Sequence, residues 1–230
     1  MATSGTTAFN MDLAELVEEA FERAGSELRT GYDLKTARRS LNLLFADWAN
    51  RGVNMWTIEQ GSISLVSGTA TYNLPSDTVD LLEFVIRTNA GSTSTQADLT
   101  MSRISVSTYA SIPSKLSQGR PIQAWIDRQA ATPTVTLWPV PDDAQPYQFV
   151  YWRLKRIDDA GNGVNTMDVP FRFLPCMTAG LAYYLALKIP GGMDRLPVLK
   201  QQYDEAWELA ATEDREKASY SLVPRYMSIG

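Results

Sequence analysis

The fold is decided by residues 173–188, which read Phe173-Leu-Pro-Cys-Met-Thr-Ala-Gly-Leu-Ala-Tyr-Tyr-Leu-Ala-Leu-Lys188. Almost every position of this run is apolar or small, so a helix built from it has no broad polar face to turn towards solvent. Pro170 stands near the expected start of the helix, and Pro190 follows its expected end. We therefore predict a helix that is buried on several sides and that other elements must cover.

Three amphipathic helices can supply that cover, because each has apolar residues at the i, i+3, i+4 spacing. The first begins at Asp12, which has capping-box spacing to Glu15, and ends near Gly25. The second begins near Asp33 and ends at residues 50–52, and the last occupies residues 194–217. Since such stripes are best buried against each other, we predict one four-helix bundle built from both chain ends.

The sequence between these helices has a different character. Short segments of residues 58–157 alternate apolar and polar side chains and are separated by turn residues, which predicts a small antiparallel β sandwich or barrel. Within it, residues 63–74 predict a hairpin around Ser67-Gly68. The predicted fold class is α+β. Its domains are residues 1–57 and 159–217 (helical), residues 58–158 (inserted β domain) and residues 218–230 (extended C-terminal arm).

The arm is too short to fold alone, yet it is rich in large apolar side chains, unlike an ordinary polar terminus. One interpretation is an arm that is loose or folded back on its own domain. The other is an arm that orders on a partner subunit, with Arg225 and Tyr226 as anchors. The candidate partner-binding residues are Tyr220, Leu222, Val223, Pro224, Arg225, Tyr226, Met227 and Ile229.

The composition removes most catalytic chemistry. The chain has no histidine and one cysteine, so the commonest general base and metal ligand are absent and a Ser-His-Asp arrangement cannot form. The sequence contains no glycine-rich phosphate-binding motif. Cys176 lies in the apolar helix and is predicted to be a core residue. We expect no enzyme activity, no catalytic residue, no cofactor and no metal.

The charge also limits the possible partners. A net charge of −5 lacks the basic excess of a protein that binds nucleic acid tightly, and no apolar run is long enough to span a membrane. The first helix carries an acidic outward face, which is either simply solvated or an acidic lining or docking surface. Its members are Glu15, Glu18, Glu19 and Glu22.

Two other functions remain open. A hydrolase that acts on cell-wall polymer needs only paired carboxylates. The candidate pairs are Asp142 with Asp143 and Asp158 with Asp159. A carbohydrate-binding module would need an aromatic platform, for which Trp125, Trp138 and Trp152 are the candidates, although core packing is the usual role of tryptophan.

The order of several short segments resembles the head-to-tail adaptor proteins of short-tailed phages, which are also called tail accessory factors or head-completion connectors. The resemblance covers nearly the whole chain. Segments that carry it include Arg39-Ser-Leu-Asn-Leu-Leu-Phe-Ala-Asp-Trp-Ala-Asn-Arg-Gly52, Thr71-Tyr-Asn-Leu-Pro75, Trp138-Pro-Val-Pro141, Tyr151-Trp-Arg-Leu-Lys-Arg156 and Ser221-Leu-Val-Pro-Arg-Tyr226.

This resemblance implies a virion structural protein at the capsid–tail junction, assembled in the bacterial cytoplasm. Such adaptors form a ring, usually a dodecamer, beneath the portal protein, and a lower tail or nozzle protein docks below. Double-stranded DNA passes through the ring without specific binding, and the C-terminal segment contacts the portal. The acidic face of the first helix could line that channel.

Overall fold

The computed structural model describes residues 5–6, 9–28, 31–52, 55–162 and 164–214. The helices are α1 (Leu13–Ala24), α2 (Gly31–Asn50), α3 (Val106–Ser111), α4 (Leu174–Ala186) and α5 (Leu196–Glu213). The strands are β1 (Ile58–Ser64), β2 (Thr71–Asn73), β3 (Thr78–Thr88), β4 (Ala97–Thr100), β5 (Ser102–Arg103), β6 (Gln123–Asp127), β7 (Thr134–Trp138) and β8 (Tyr147–Lys155). The mixed α+β class is confirmed.

The described residues divide into two compact units. One combines the residues up to Met55 with those from Asp159 onward, and the other is Trp56–Asp158. The first contains α1, α2, α4 and α5, and the second contains all eight strands and α3.

Helix α1 begins and ends where its local sequence predicts. The Asp12 carboxylate accepts a hydrogen bond from the Glu15 backbone N–H at 2.9 Å, and the Glu15 carboxylate accepts one from the Asp12 N–H at 3.2 Å. This reciprocal pair satisfies two backbone donors that the start of a helix leaves without a partner. Gly25 ends the helix in the left-handed region, with φ of 85°, where glycine lacks the clash of a Cβ. The predicted capping box is confirmed.

Helix α4 is the most deeply buried helix of its unit. Leu174, Met177, Leu181 and Leu185 are at most 5% exposed, and α4 contacts α1, α2 and α5. Gly180 permits this proximity, because a Cβ there would lie 2.9 Å from side-chain atoms of both Leu44 and Tyr203. The predicted multi-sided burial is confirmed. The predicted four-helix bundle is a more specific arrangement than these pairings and stays a prediction.

The β unit contains two separate four-stranded sheets. Their strand orders are β1-β8-β3-β4 and β2-β7-β6-β5. Both sheets contribute to one apolar core, which includes Phe84 and Phe149 from one and Val135 and Leu137 from the other. The barrel alternative was therefore wrong for the described strands, because the sheets keep distinct edge strands and do not close. The sheets are also not wholly antiparallel, since β5 pairs with β6 in parallel.

The hairpin predicted around Ser67-Gly68 was wrong as well. The chain does turn there, with Gly68 at φ 79°, but β1 and β2 belong to different sheets. Strand β1 pairs instead with the distant β8, where Ile63 lies opposite Phe149. A turn is encoded locally, whereas strand pairing depends on which apolar surfaces the whole chain can bring together.

An ion-pair cluster on β8 ties three segments of the β unit together. The Arg153 side chain is 9% exposed, and its guanidinium lies 2.6 Å from both the Asp77 and the Glu59 carboxylates. It also donates to Thr78 Oγ1 at 3.0 Å. The hydrogen bond from Arg153 is the main cause that lowers the pKa of Asp77. The ionised form of Asp77 is therefore favoured in the folded protein.

We expect Arg153→Met to weaken the acid sensitivity of folding. Asp77 contributes stability above its unfolded pKa of about 3.9, and the contribution is lost as pH falls through its lower folded pKa. In the variant that contribution disappears, so urea-unfolding free energies should fall less between pH 5 and pH 3 than in the unmodified protein. Arg128→Met is the matched control, because Arg128 is 62% exposed and lies 3.4 Å from Asp80. Equal pH dependence in all three proteins would contradict the assignment.

Candidate functional site

The acidic face of α1 separates into two kinds of carboxylate. Glu15 belongs to the capping box, and Glu19 accepts a hydrogen bond from Arg23 Nε at 2.7 Å. Both therefore stabilise α1 itself. Glu18 and Glu22 are exposed. Of the four residues predicted for this face, Glu18 and Glu22 are the better candidates for contact with another molecule.

The predicted partner-binding arm lies outside the described residues. This applies to Tyr220, Leu222, Val223, Pro224, Arg225, Tyr226, Met227 and Ile229. The described chain ends at Asp214, directly after α5. Asp214 is therefore the last described residue before residues 215–230 in the sequence.

Asp214 is held by two other segments of the helical unit. Its side chain is 0% exposed and accepts hydrogen bonds from the Met55 backbone N–H at 3.0 Å and from the Arg172 guanidinium. These contacts link the end of α5 to the residues that follow α2 and precede α4. Sequence reasoning missed this cluster. A signal was present, because an acidic residue at the C-terminal end of a helix opposes the helix dipole and needs a specific partner.

A second cluster joins α2 to α5. The Trp48 indole N–H donates to the Tyr203 hydroxyl at 3.1 Å, and both side chains are buried. Burial raises the pKa of Tyr203, so the hydroxyl stays protonated. The Arg51 guanidinium lies 4.9 Å from the Trp207 ring centroid and pairs with Asp47 at 2.8 Å. This combination of aromatic packing and cation–π contact keeps α5 against the N-terminal helices.

A shallow groove follows the outer side of α5. It consists of three adjoining depressions of about 430, 510 and 530 Å³. Arg23 of α1 and Pro175 and Ala179 of α4 line it together with residues of α5. Val198 and Leu209 are 59% and 73% exposed there, so this side of the unit offers apolar contacts to another segment or molecule. Sequence analysis did not single out this surface.

The three candidate sugar-binding tryptophans do not form one platform. Trp125 stacks on Tyr109 with a centroid distance of 5.3 Å, and the Trp138 indole N–H donates to the Ser114 carbonyl at 3.0 Å. Both lie on the sheet that contains β6 and β7, whereas Trp152 lies on β8 of the other sheet. Contacts within the β unit therefore account for Trp125 and Trp138.

The candidate carboxylate pairs lie outside the helices and strands, and Asp143, Asp158 and Asp159 are exposed. Asp142 Oδ1 accepts a hydrogen bond from the Ala144 N–H at 3.1 Å, which is a common local role of aspartate in turns. Asp158 is 70% exposed and lies 3.8 Å from Lys155. Among the residues that the structure describes, no group of three or more potential metal ligands of the Cys, Asp or Glu type is found.

Cys176 occupies the predicted core position. It is 0% exposed, and burial raises the pKa of its thiol to about 12. The neutral thiol is therefore the form present near neutral pH. It behaves as a small apolar side chain of α4.

Comparison with protein-family models identifies the chain. The model of the SU10 adaptor protein matches residues 11–225, which include every helix and strand of both units. This chain belongs to the SU10 adaptor protein family. The SU10 adaptor family is a phage adaptor family, so the protein is a structural component of a virion. The resemblance seen in the sequence is thus confirmed at the level of a phage adaptor.

No curated protein matches this SU10 adaptor chain significantly. No helix among the described residues is both long and apolar enough to cross a membrane.

The Asp214 cluster generates a stability prediction for this adaptor. We expect Asp214→Ala to lower the free energy of unfolding by about 1–3 kcal/mol, because the Met55 N–H loses the acceptor supplied by the buried Asp214 side chain and Arg172 loses its charge partner. Asp214→Asn keeps an acceptor and should lose less. Asp204→Ala, at an exposed aspartate on the same helix, is the control and should change little. Urea unfolding measures all three variants, and equal effects of Asp214→Ala and Asp204→Ala would refute the cluster's role.

Proposed function

We propose that this SU10-family adaptor joins the capsid vertex to the tail of a short-tailed phage. It does so as a ring of identical copies beneath the portal protein, with a dodecamer as the expected number. A lower tail or nozzle protein docks on the opposite side of the ring. The observation that carries this proposal is the family match over residues 11–225, nearly the whole chain.

The structure supports a role in assembly through its two independently packed units. A ring requires subunits that present two different, complementary surfaces to their neighbours. The α1–α4–α5 groove and the exposed part of the α1 face are separate surfaces of the helical unit. Binding at such surfaces requires no catalytic group, and we propose that the adaptor acts by multivalent binding alone.

We further propose that residues 218–230 form the portal-binding arm. Their apolar side chains would be buried in the portal, and the same weak contact repeated around a ring sums to firm attachment. The buried Asp214 cluster supports this role, because it gives the arm a fixed point of departure in every copy. Each arm can then reach an equivalent site on a symmetric portal.

Deletion of residues 218–230 should abolish co-sedimentation of the adaptor with portal rings. The deleted chain should still fold, since α1, α2, α4 and α5 supply the buried apolar residues of the helical unit, and a cooperative urea-unfolding transition checks this. A chain of full length with Tyr220, Leu222, Tyr226 and Ile229 changed to serine is the matched control for arm length. It should also fail to bind, because the apolar contacts are lost. Undiminished binding by the serine variant would show that these side chains are not the anchors.

The acidic face of α1 is proposed to line the channel, where negative charge lets DNA pass without being held. Glu18→Gln/Glu22→Gln should leave portal attachment intact and change genome retention or ejection. The proposed mechanism predicts slower ejection, because a less repulsive wall holds DNA more strongly. Asp142→Asn/Asp143→Asn, which removes the same charge from the β unit, is the control. Unchanged genome retention and ejection in the Glu18→Gln/Glu22→Gln particles would exclude a channel role for α1.

A further inference from the structure

The groove along α5 carries an inference beyond attachment to the portal. Its three depressions are continuous, because Arg23 and Gln202 line the first and second, and Glu205 and Leu209 line the second and third. The groove therefore extends along α5 from Val198 to the C-terminal end of the helix. It is a single elongated surface.

The chemistry of the groove changes along its length. Apolar contacts are available at both ends, from Val198 near the start of α5 and from Leu209 near its end. The part near the C-terminal end of α5 is also acidic, with Glu205, Glu208 and Glu213 among its lining residues. An occupant should therefore be extended, apolar at intervals and basic where it passes this end.

Residues 215–230 match that description. They contain the basic residues Arg215, Lys217 and Arg225 and the single acidic residue Glu216, and large apolar residues follow from Tyr220 onward. Their first residue comes directly after Asp214, at the acidic end of the groove. A segment that turns back from this point places Arg215 and Lys217 near the glutamates and its apolar residues along α5.

The segment is also long enough. Helix α5 has 18 residues, which at about 1.5 Å per residue corresponds to roughly 27 Å. Residues 215–230, if extended at about 3.3 Å per residue, span roughly 50 Å, so they cover the groove with several residues left for the reversal of chain direction. A tethered segment of this kind is present at an effective concentration on the order of millimolar, so even weak contacts fill the groove.

We propose that in the isolated adaptor residues 215–230 fold back into the α1–α4–α5 groove of their own molecule. Val198 and Leu209 then contact the arm's apolar side chains, and the acidic end of the groove faces its basic residues. The arm is shielded in this state, which limits unwanted association of its apolar residues between free copies. Binding of the arm to a larger target requires the arm to leave the groove. The target must therefore bind the arm more strongly than the groove does before assembly can proceed.

Limited trypsin digestion of the full-length chain tests this proposal without any portal, so its outcome is independent of the proposed portal role. Trypsin can cleave after Arg215, Lys217 and Arg225, and release of the arm is followed by mass spectrometry. In the unmodified chain these three sites should be cut at least about tenfold more slowly than in a synthetic peptide of residues 211–230, because the bound arm is protected.

Leu209→Gln and Val198→Gln/Leu209→Gln should raise the cleavage rates. Each removes an apolar contact without creating a trypsin site, so an increase of about tenfold is expected for the double variant. Glutamine is a good helix former, so the fold should be preserved and an unchanged far-UV circular dichroism spectrum checks this. Leu43→Gln, at a leucine 56% exposed on α2 and outside the groove, is the matched control and should not change the rates.

Three results would overturn the proposal. The first is an arm in the unmodified chain that is cut as fast as the peptide. The second is an unchanged rate in the Val198→Gln/Leu209→Gln variant. The third is protection, measured relative to the peptide at the same concentration, that increases from about 1 to 50 µM protein, because a second copy would then fill the groove. Equal protection at all concentrations, together with loss of protection only in the groove variants, supports the proposal.

Discussion

The structure of the helical unit depends on the need to cover a helix that has almost no polar side. Ten of the residues of α4 are buried, and they face neighbours on several sides. Burial of apolar surface contributes roughly 25 cal/mol per Å². Exposure of α4 to solvent would therefore cost a free energy comparable to the whole net stability of a small domain. Cover comes from α1 and α2 at the start of the chain and from α5 at its end. Both chain ends must therefore pack together, and the β unit lies between them in sequence.

This requirement has a direct consequence for assembly. Because α5 is held by the Trp48–Tyr203 hydrogen bond and by the buried Asp214, its end has a defined position in the helical unit. Whatever follows Asp214 starts from the same point in every copy. A symmetric ring needs this property if equivalent contacts are to repeat around it. Family membership makes the chain a phage adaptor, and the fixed end of α5 suits the binding role that we propose for it.

The parts of the structure that were predictable from sequence depend on neighbouring residues. The Asp12–Glu15 capping box and the burial of Cys176 follow from spacing along one helix, and both are found. The parts that were not predictable depend on distant residues. The pairing of β1 with β8, in place of β2, is set by the whole β unit, and the Asp214 cluster joins residues more than 150 positions apart in sequence. The arm was predicted from composition, and its role stays a proposal.

The central claim is that this protein works as a portal-attached subunit, and native mass spectrometry tests it most directly. The full-length 25.6 kDa chain would be measured alone and after mixing with portal rings of the same phage. The account predicts that portal rings gain mass in multiples of the chain mass, up to a fixed and symmetric number of copies. Portal rings whose mass does not change at a saturating excess of the chain would contradict it.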